Sequence, residues 1–127
     1  MKNIKYQPLV SIIMNCHDGE NYLNESLKSV QFQTYKNWEL IFFDNKSQDN
    51  SIKILKKFKD KRIKYYRSNK FLKLYDARNL AIKKSKGKYI CFLDTDDLWK
   101  KNKIKTQVKF MEVNKNFAMV YSKYLIL

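Results

Sequence analysis

Tyr89-Ile90-Cys91-Phe92-Leu93-Asp94-Thr95-Asp96-Asp97 runs five apolar residues straight into three carboxylates. A short, unbroken apolar run reads as a strand buried on both faces, closed here by Asp94. The pattern recurs twice upstream, where Leu9 to Met14 runs into Asn15 and Trp38 to Phe43 into Asp44. Ile63 to Tyr66 is a shorter strand, and Phe117 to Tyr121 is expected to open a last one.

Between the strands lie helical spacings. Asn21 to Gln31 carries Leu23, Leu27 and Val30. Asp49 or Ser51 reads as the N-cap of a helix with Ile52, Leu55 and Phe58 inward. Asp76 to Lys84 places Ala77, Leu80 and Ala81 inward, with Gly87 just past its end as a stop signal. Lys101 to Asn114 sets Ile104, Val108 and Met111 on one face. Alternating strands and helices predict an α/β fold, a three-layer α/β/α sandwich around a mainly parallel sheet. In such sheets ligands sit beyond the carboxyl ends of the strands. Asn15 to Glu20, Asp44 to Ser47 and Asp94 to Asp97 therefore share one rim.

The bulk numbers agree with one domain over residues 1–127, 44% hydrophobic and 15% aromatic, with two Gly and one Pro. Disorder, linkers and repeats are excluded by apolar residues spread along the whole length. A net charge of +15, from 27 Lys and Arg against 12 Asp and Glu, favours acidic partners. Lysines scattered along amphipathic helices also read as a solvated face, with weak attraction to anionic membrane as a by-product. Cys16 and Cys91 are too few for a disulfide framework or a zinc site, which suits a reducing cytosol. The six-residue apolar run before Asn15 is too short for a signal peptide or a membrane span. A cytoplasmic protein, peripheral at most to the inner face of a membrane, is expected.

Crowded carboxylates repel one another and call for a cation or raised pKa values. A hard divalent ion answers that need, since Mg²⁺ typically takes one or two carboxylates plus substrate phosphates. Asp96 or Asp97 can instead cap the following helix, and both readings stand at this point. Asp44 can accept a base N–H or a ribose hydroxyl, or can shape the turn Asp44-Asn45-Lys46-Ser47. His17, the single histidine, has no visible triad partner and is assigned backbone or shape duty. Trp38 and Trp99 are read as packing anchors.

Five segments resemble family 2 glycosyltransferases. Val10 to Leu23 is similar to VSIIxPxYNGExYL, Gln33 to Ile41 to QTYxNxEhI, and Phe43 to Ser51 to VDDGSTDNS. Asp76-Ala77-Arg78-Asn79 looks like the xARN helix start, and Gly87 to Trp99 like GxYIxFLDxDDxW. The resemblance implies a GT-A fold and an inverting, metal-dependent transfer of sugar from a nucleoside diphosphate donor. That donor would be a UDP-sugar, and the acceptor a saccharide or lipid-linked glycan in polysaccharide biosynthesis. It implies that Asp44 holds the base and that Asp94, with Thr95, contacts the ribose or base side. Asp96 would coordinate Mg²⁺ or Mn²⁺, with Asp97 as a second contact. Asn15, Cys16, His17, Asp18 and Glu20 would wrap the nucleoside, with Arg78 nearby.

Departures from the family pattern are specific. Asn15 stands for Pro, His17-Asp18 for Tyr-Asn, and Asn45-Lys46 for Asp-Gly. The family's acceptor half and carboxylate base have no match in these residues, so the domain is expected to be truncated at its C-terminus. Donor binding without transfer is the expected behaviour, with an apolar sheet face left for self-association. The competing classes are a non-catalytic nucleotide and metal module and a basic nucleic-acid-binding protein. The last needs clustered aromatic and basic residues, whereas the charge here is scattered.

Overall fold

Strands apolar on both faces demand a layer on each side, and the chain supplies both. The computed structural model describes residues 7–126; the first six residues of the N-terminal stretch and Leu127 lie outside the described residues. The elements are β1 (Val10–Cys16), α1 (Leu23–Gln31), β2 (Trp38–Asp44), α2 (Ser51–Lys57), β3 (Ile63–Arg67), α3 (Leu74–Ile82), β4 (Tyr89–Phe92) and α4 (Lys103–Val113). The four strands are parallel, in the order β3-β2-β1-β4.

The register explains the burial. β1 is central, pairing Val10 with Trp38 through Cys16 with Asp44 on one side and Val10 with Tyr89 through Ile13 with Phe92 on the other. Val10, Ile12, Met14 and Cys16 point into one cluster with Leu23, Leu27 and Val30 of α1, Leu55 of α2, and Ile104 and Val108 of α4. Ile13, Ile41 and Phe43 point the other way, under Ala77 and Ala81 of α3. Two alanines on the inner face let α3 lie close against the sheet. Trp38 is a packing anchor, buried with the Arg62 guanidinium 3.6 Å above its ring.

Several sequence expectations are corrected. β1 runs on through Asn15 and Cys16, so the rim loop starts at His17. Leu80 is 39% exposed, because α3 contacts the sheet only along its Ala77–Ala81 stripe. The helix ends at Ile82, five residues before Gly87. Gly87 serves a close approach instead: an added Cβ would sit 2.6 Å from the Ser11 backbone nitrogen. Its N–H donates to Ser11 Oγ at 2.8 Å. Residues 117–121 form no strand. Phe117 packs its ring at a tilt against Phe110 of α4, centroids 5.6 Å apart, with no ladder partner among the described residues.

Strand order places the site. From β1 the chain steps outward through β2 to β3, then α3 carries it back across to β4 on the far side of β1. The direction reverses between β1 and β4, and a crevice opens at such a switch point. Asp44 and Asp94 thus flank β1 on either side, on one rim, with β1 between them.

Candidate functional site

Asn15 is the last outward-facing residue of β1 before the rim. It shares the α3 side of the sheet with Ile13 and lies opposite Phe43. Both polar atoms of its side chain, Nδ2 and Oδ1, are buried without a hydrogen-bond partner among the described residues. A buried amide left unpaired costs about 1–3 kcal/mol and calls for an explanation, such as a ligand. Cys16, the next residue, turns its thiol into the core, and burial pushes that thiol up. Its thiol touches the rim loops at Ser47 Oγ, 3.7 Å away, and its carbonyl accepts from Asn45 N–H at 2.7 Å. Burial pushes the Cys91 thiol up to about 12, so neither cysteine offers a thiolate.

The loop after β1 is fastened to the loop after β2. Ser47 Oγ accepts from Asp18 N–H at 3.1 Å, and Ser51 Oγ from Gly19 N–H at 2.9 Å. Asp49 accepts from Glu20 N–H, while Glu20 accepts from the backbone and side-chain amides of Asn50. Asp18 accepts from Gln48 and Asp49 N–H. Burial works against the charged form of Asp49, but bonds from Ser51 and Glu20 hold its carboxyl below the usual range. One oxygen each of Asp18 and Glu20, Oδ1 and Oε2, is therefore engaged across the loop pair. His17 Nδ1 lies 2.9 Å from the Asn45 carbonyl oxygen, and its ring meets Phe71 edge-on at 4.6 Å.

Asp44 is fully buried. Its Oδ1 accepts from Ser47 N–H at 2.9 Å, which realises the turn-shaping role. Its Oδ2 lies 3.3 Å from Arg67 Nε and accepts from Tyr65 OH at 3.4 Å. Burial first, then the Asp44 charge, pushes the Tyr65 hydroxyl up. A ligand reaching this carboxylate must displace Tyr65 or Arg67. Sequence reading missed both residues, and Phe71 as well. Arg67 is the register partner of Asp44 on β3, visible only once the strands are paired.

Across β1, Asp94 Oδ1 accepts from Arg78 Nη2 at 2.7 Å, joining the β4 rim to α3. Gly19 packs on Thr95, whose Oγ1 would stand 3.1 Å from an added Cβ, so the first loop touches the acidic loop. Asp96 and Asp97 are exposed, and neither carboxylate has an ion pair or hydrogen bond among the described residues. The capping alternative fails, because α4 starts six residues after Asp97, with Asn102 at its N-cap. No group of three or more potential metal ligands occurs among the described residues. Asp96 and Asp97 supply two free carboxylates, the number that Mg²⁺ commonly takes from a protein.

The sequence profile described as glycosyl transferase family 2 matches residues 11–125. Two Escherichia coli proteins named UDP-Glc:alpha-D-GlcNAc-diphosphoundecaprenol beta-1,3-glucosyltransferase, WfgD and WfaP, are each 42% identical to the chain. The alignments take in 94% and 93% of this chain and 47% of each relative, so the chain spans about half the length of these curated relatives. S. aureus TarS 1-349 superposes with a TM-score of 0.79 at 25% identity, over 84% of this chain and 33% of that one. The same protein has been solved with UDP-GlcNAc. Mannosyltransferase PcManGT from Pyrobaculum calidifontis, solved with GDP-Man and Mn²⁺, shares the fold with a TM-score of 0.78 at 20% identity, over 84% of this chain and 33% of that one. Because the profile match runs from within β1 to beyond α4, the chain belongs to glycosyl transferase family 2 and has the α/β architecture of the GT-A fold.

Proposed function

We propose that this chain binds the nucleoside diphosphate sugar donor, a UDP-sugar, for a metal-assisted transfer to a saccharide or lipid-linked acceptor. The observation that carries the reading is the unpaired Asn15 amide, set at the switch point between β1 and β4. One donor and one acceptor side by side suit the edge of a base or the hydroxyls of a ribose. His17 and Phe71 pair their rings at the first rim loop. Asp44 with Arg67, and Asp94 with Arg78, keep the two sides of the crevice in place. Asp18 and Glu20 act by holding the loops. Asp96 and Asp97 would hold Mg²⁺ or Mn²⁺, which neutralises the charge of a departing diphosphate when bound. The relatives named for UDP-Glc and the TarS structure with UDP support the choice of nucleotide.

The acceptor hydroxyl needs a base within hydrogen-bond reach. Glu112 does not qualify. Lys88, Tyr89 and Lys115 hold it down to about 2, at the end of β4 away from the rim.

Calorimetric titration of the chain with UDP, with and without Mn²⁺, tests the reading. Binding is expected to strengthen at least tenfold with Mn²⁺, and Asp96→Asn should remove that gain with the melting temperature unchanged. Asn15→Ala should weaken UDP about tenfold, the weight of one or two hydrogen bonds. Equal affinity of Asn15→Ala and the unmodified chain would end the assignment of Asn15.

A further inference from the structure

Past the C-terminus of α1, Phe32 is 71% exposed, and Leu98 on the segment leading to α4 is 51% exposed. They line one shallow groove of about 310 Å³ with Trp99, Lys28 and Lys101. Glu25 is the one acidic residue in its lining. The apolar pair does not sit on loose backbone. Thr34 N–H donates to the Lys101 carbonyl at 2.8 Å, and the buried Gln33 amide donates to the Lys100 carbonyl while accepting from Ile104 N–H. Trp99 lies beneath, packed on the core, with Lys103 Nζ 4.2 Å over its ring. From Leu98 to Met111 the chain carries Lys100, Lys101, Lys103, Lys105 and Lys109 and no carboxylate.

We propose that this seam is a docking surface for an anionic lipid bilayer. Phe32 and Leu98 would enter the boundary between headgroups and acyl chains, with Trp99 at its edge. The surrounding lysines would lie on lipid phosphates, their stems along the apolar surface and their ammonium groups outward. Charge decides for a bilayer. A rigid apolar pair flanked by Lys28 and Lys101, whose charge outweighs that of Glu25, complements a negative lipid surface, whereas a protein groove would have to answer each lysine singly. No helix among the described residues is long and apolar enough to cross a membrane. The proposal stands apart from the transfer reaction and needs no nucleotide.

The test is co-sedimentation of the purified chain with vesicles of phosphatidylglycerol and phosphatidylcholine in equal parts, against phosphatidylcholine alone. Binding to the mixed vesicles is expected to be at least tenfold stronger and to fall in high salt. Phe32→Ser with Leu98→Ser should lower it about tenfold at unchanged circular dichroism, as should Lys28→Glu with Lys101→Glu. Lys83→Glu with Lys86→Glu, an equal charge change just past the end of α3, should stay within twofold. Because Trp38 is in the core, a blue shift of tryptophan emission on the mixed vesicles reports Trp99. The proposal falls if the two vesicle types bind alike, if the α3 control loses as much as the seam variants, or if Phe32→Ser with Leu98→Ser binds normally. It falls equally if that pair of substitutions instead splits a dimer seen in sedimentation velocity, or abolishes poly(U) binding in a chain that ignores vesicles.

Discussion

Lys46 has a φ of 62°, in the left-handed region where a Cβ crowds the following carbonyl. Its position is the one where the family pattern carries Gly. Asp18, at φ 50°, takes the same conformation but recovers through two hydrogen bonds to its carboxylate. Lys46 is exposed, and its side chain has no such compensation among the described residues. Lys46→Gly is expected to stabilise the chain by about 0.5–1 kcal/mol, since the strain of about 1–2 kcal/mol outweighs the extra freedom of Gly when unfolded. Lys46→Ala keeps the Cβ and should show no gain. Thermal melts of the two variants decide, and equal melting temperatures would remove strain as the cause. At this scale the carboxylates could be named from sequence, but their duties could not. Asp18 and Glu20 read as ligand contacts, and nothing local shows that one oxygen of each also ties the first loop to the loop after β2. The weight of Asn15 lies in a missing partner, which only packing can reveal.

Element boundaries were legible where periodicity was strong. The strand cores lie where unbroken apolar runs put them, and helical spacing finds the inner face of α1 and Ile104 and Val108 of α4, while Met111 stays half-buried. The errors come from tertiary demands that local pattern does not encode. β1 continues past its last aliphatic residue because β2 offers it two more ladder partners, Phe43 and Asp44. α3 is shifted toward Leu74, and the glycine read as its stop signal belongs to a crossing of backbones. Gly87→Ala should therefore destabilise the chain by about 1–3 kcal/mol, the usual range for overpacking. Ser11→Ala should not rescue it, because the nearest obstacle, at 2.6 Å, is the Ser11 backbone nitrogen. Denaturant unfolding of the single and double variants checks this. Restoration by Ser11→Ala would show that the hydroxyl, not the backbone, sets the limit.

For the whole molecule, alternation of strand and helix was enough for the class of fold, because continuous apolar strands have few other ways to be buried. Strand order was not legible. Nothing local says that β4 returns to the far side of β1, although that return makes the switch point at which Asn15 lies. The layers are also unequal. Three helices cover one face, while α3 alone covers the other, leaving Ile90 and Phe92 of β4 42% and 47% exposed.

The stitching of the two rim loops reaches into the chain's dynamics. Surface loops ordinarily trade their amide protons with solvent quickly, since few of those protons are held. Here the amides of Asp18, Gly19, Glu20, Gln48 and Asn50 all donate to side-chain oxygens of the facing loop. In deuterated water these five amides are expected to exchange slowly as a group, nearer to the pace of the central strand than to that of Lys70 or Lys101. They should speed up together in Ser51→Ala. The mouth of the crevice would then be one of the quieter parts of the surface, already shaped before any nucleotide arrives.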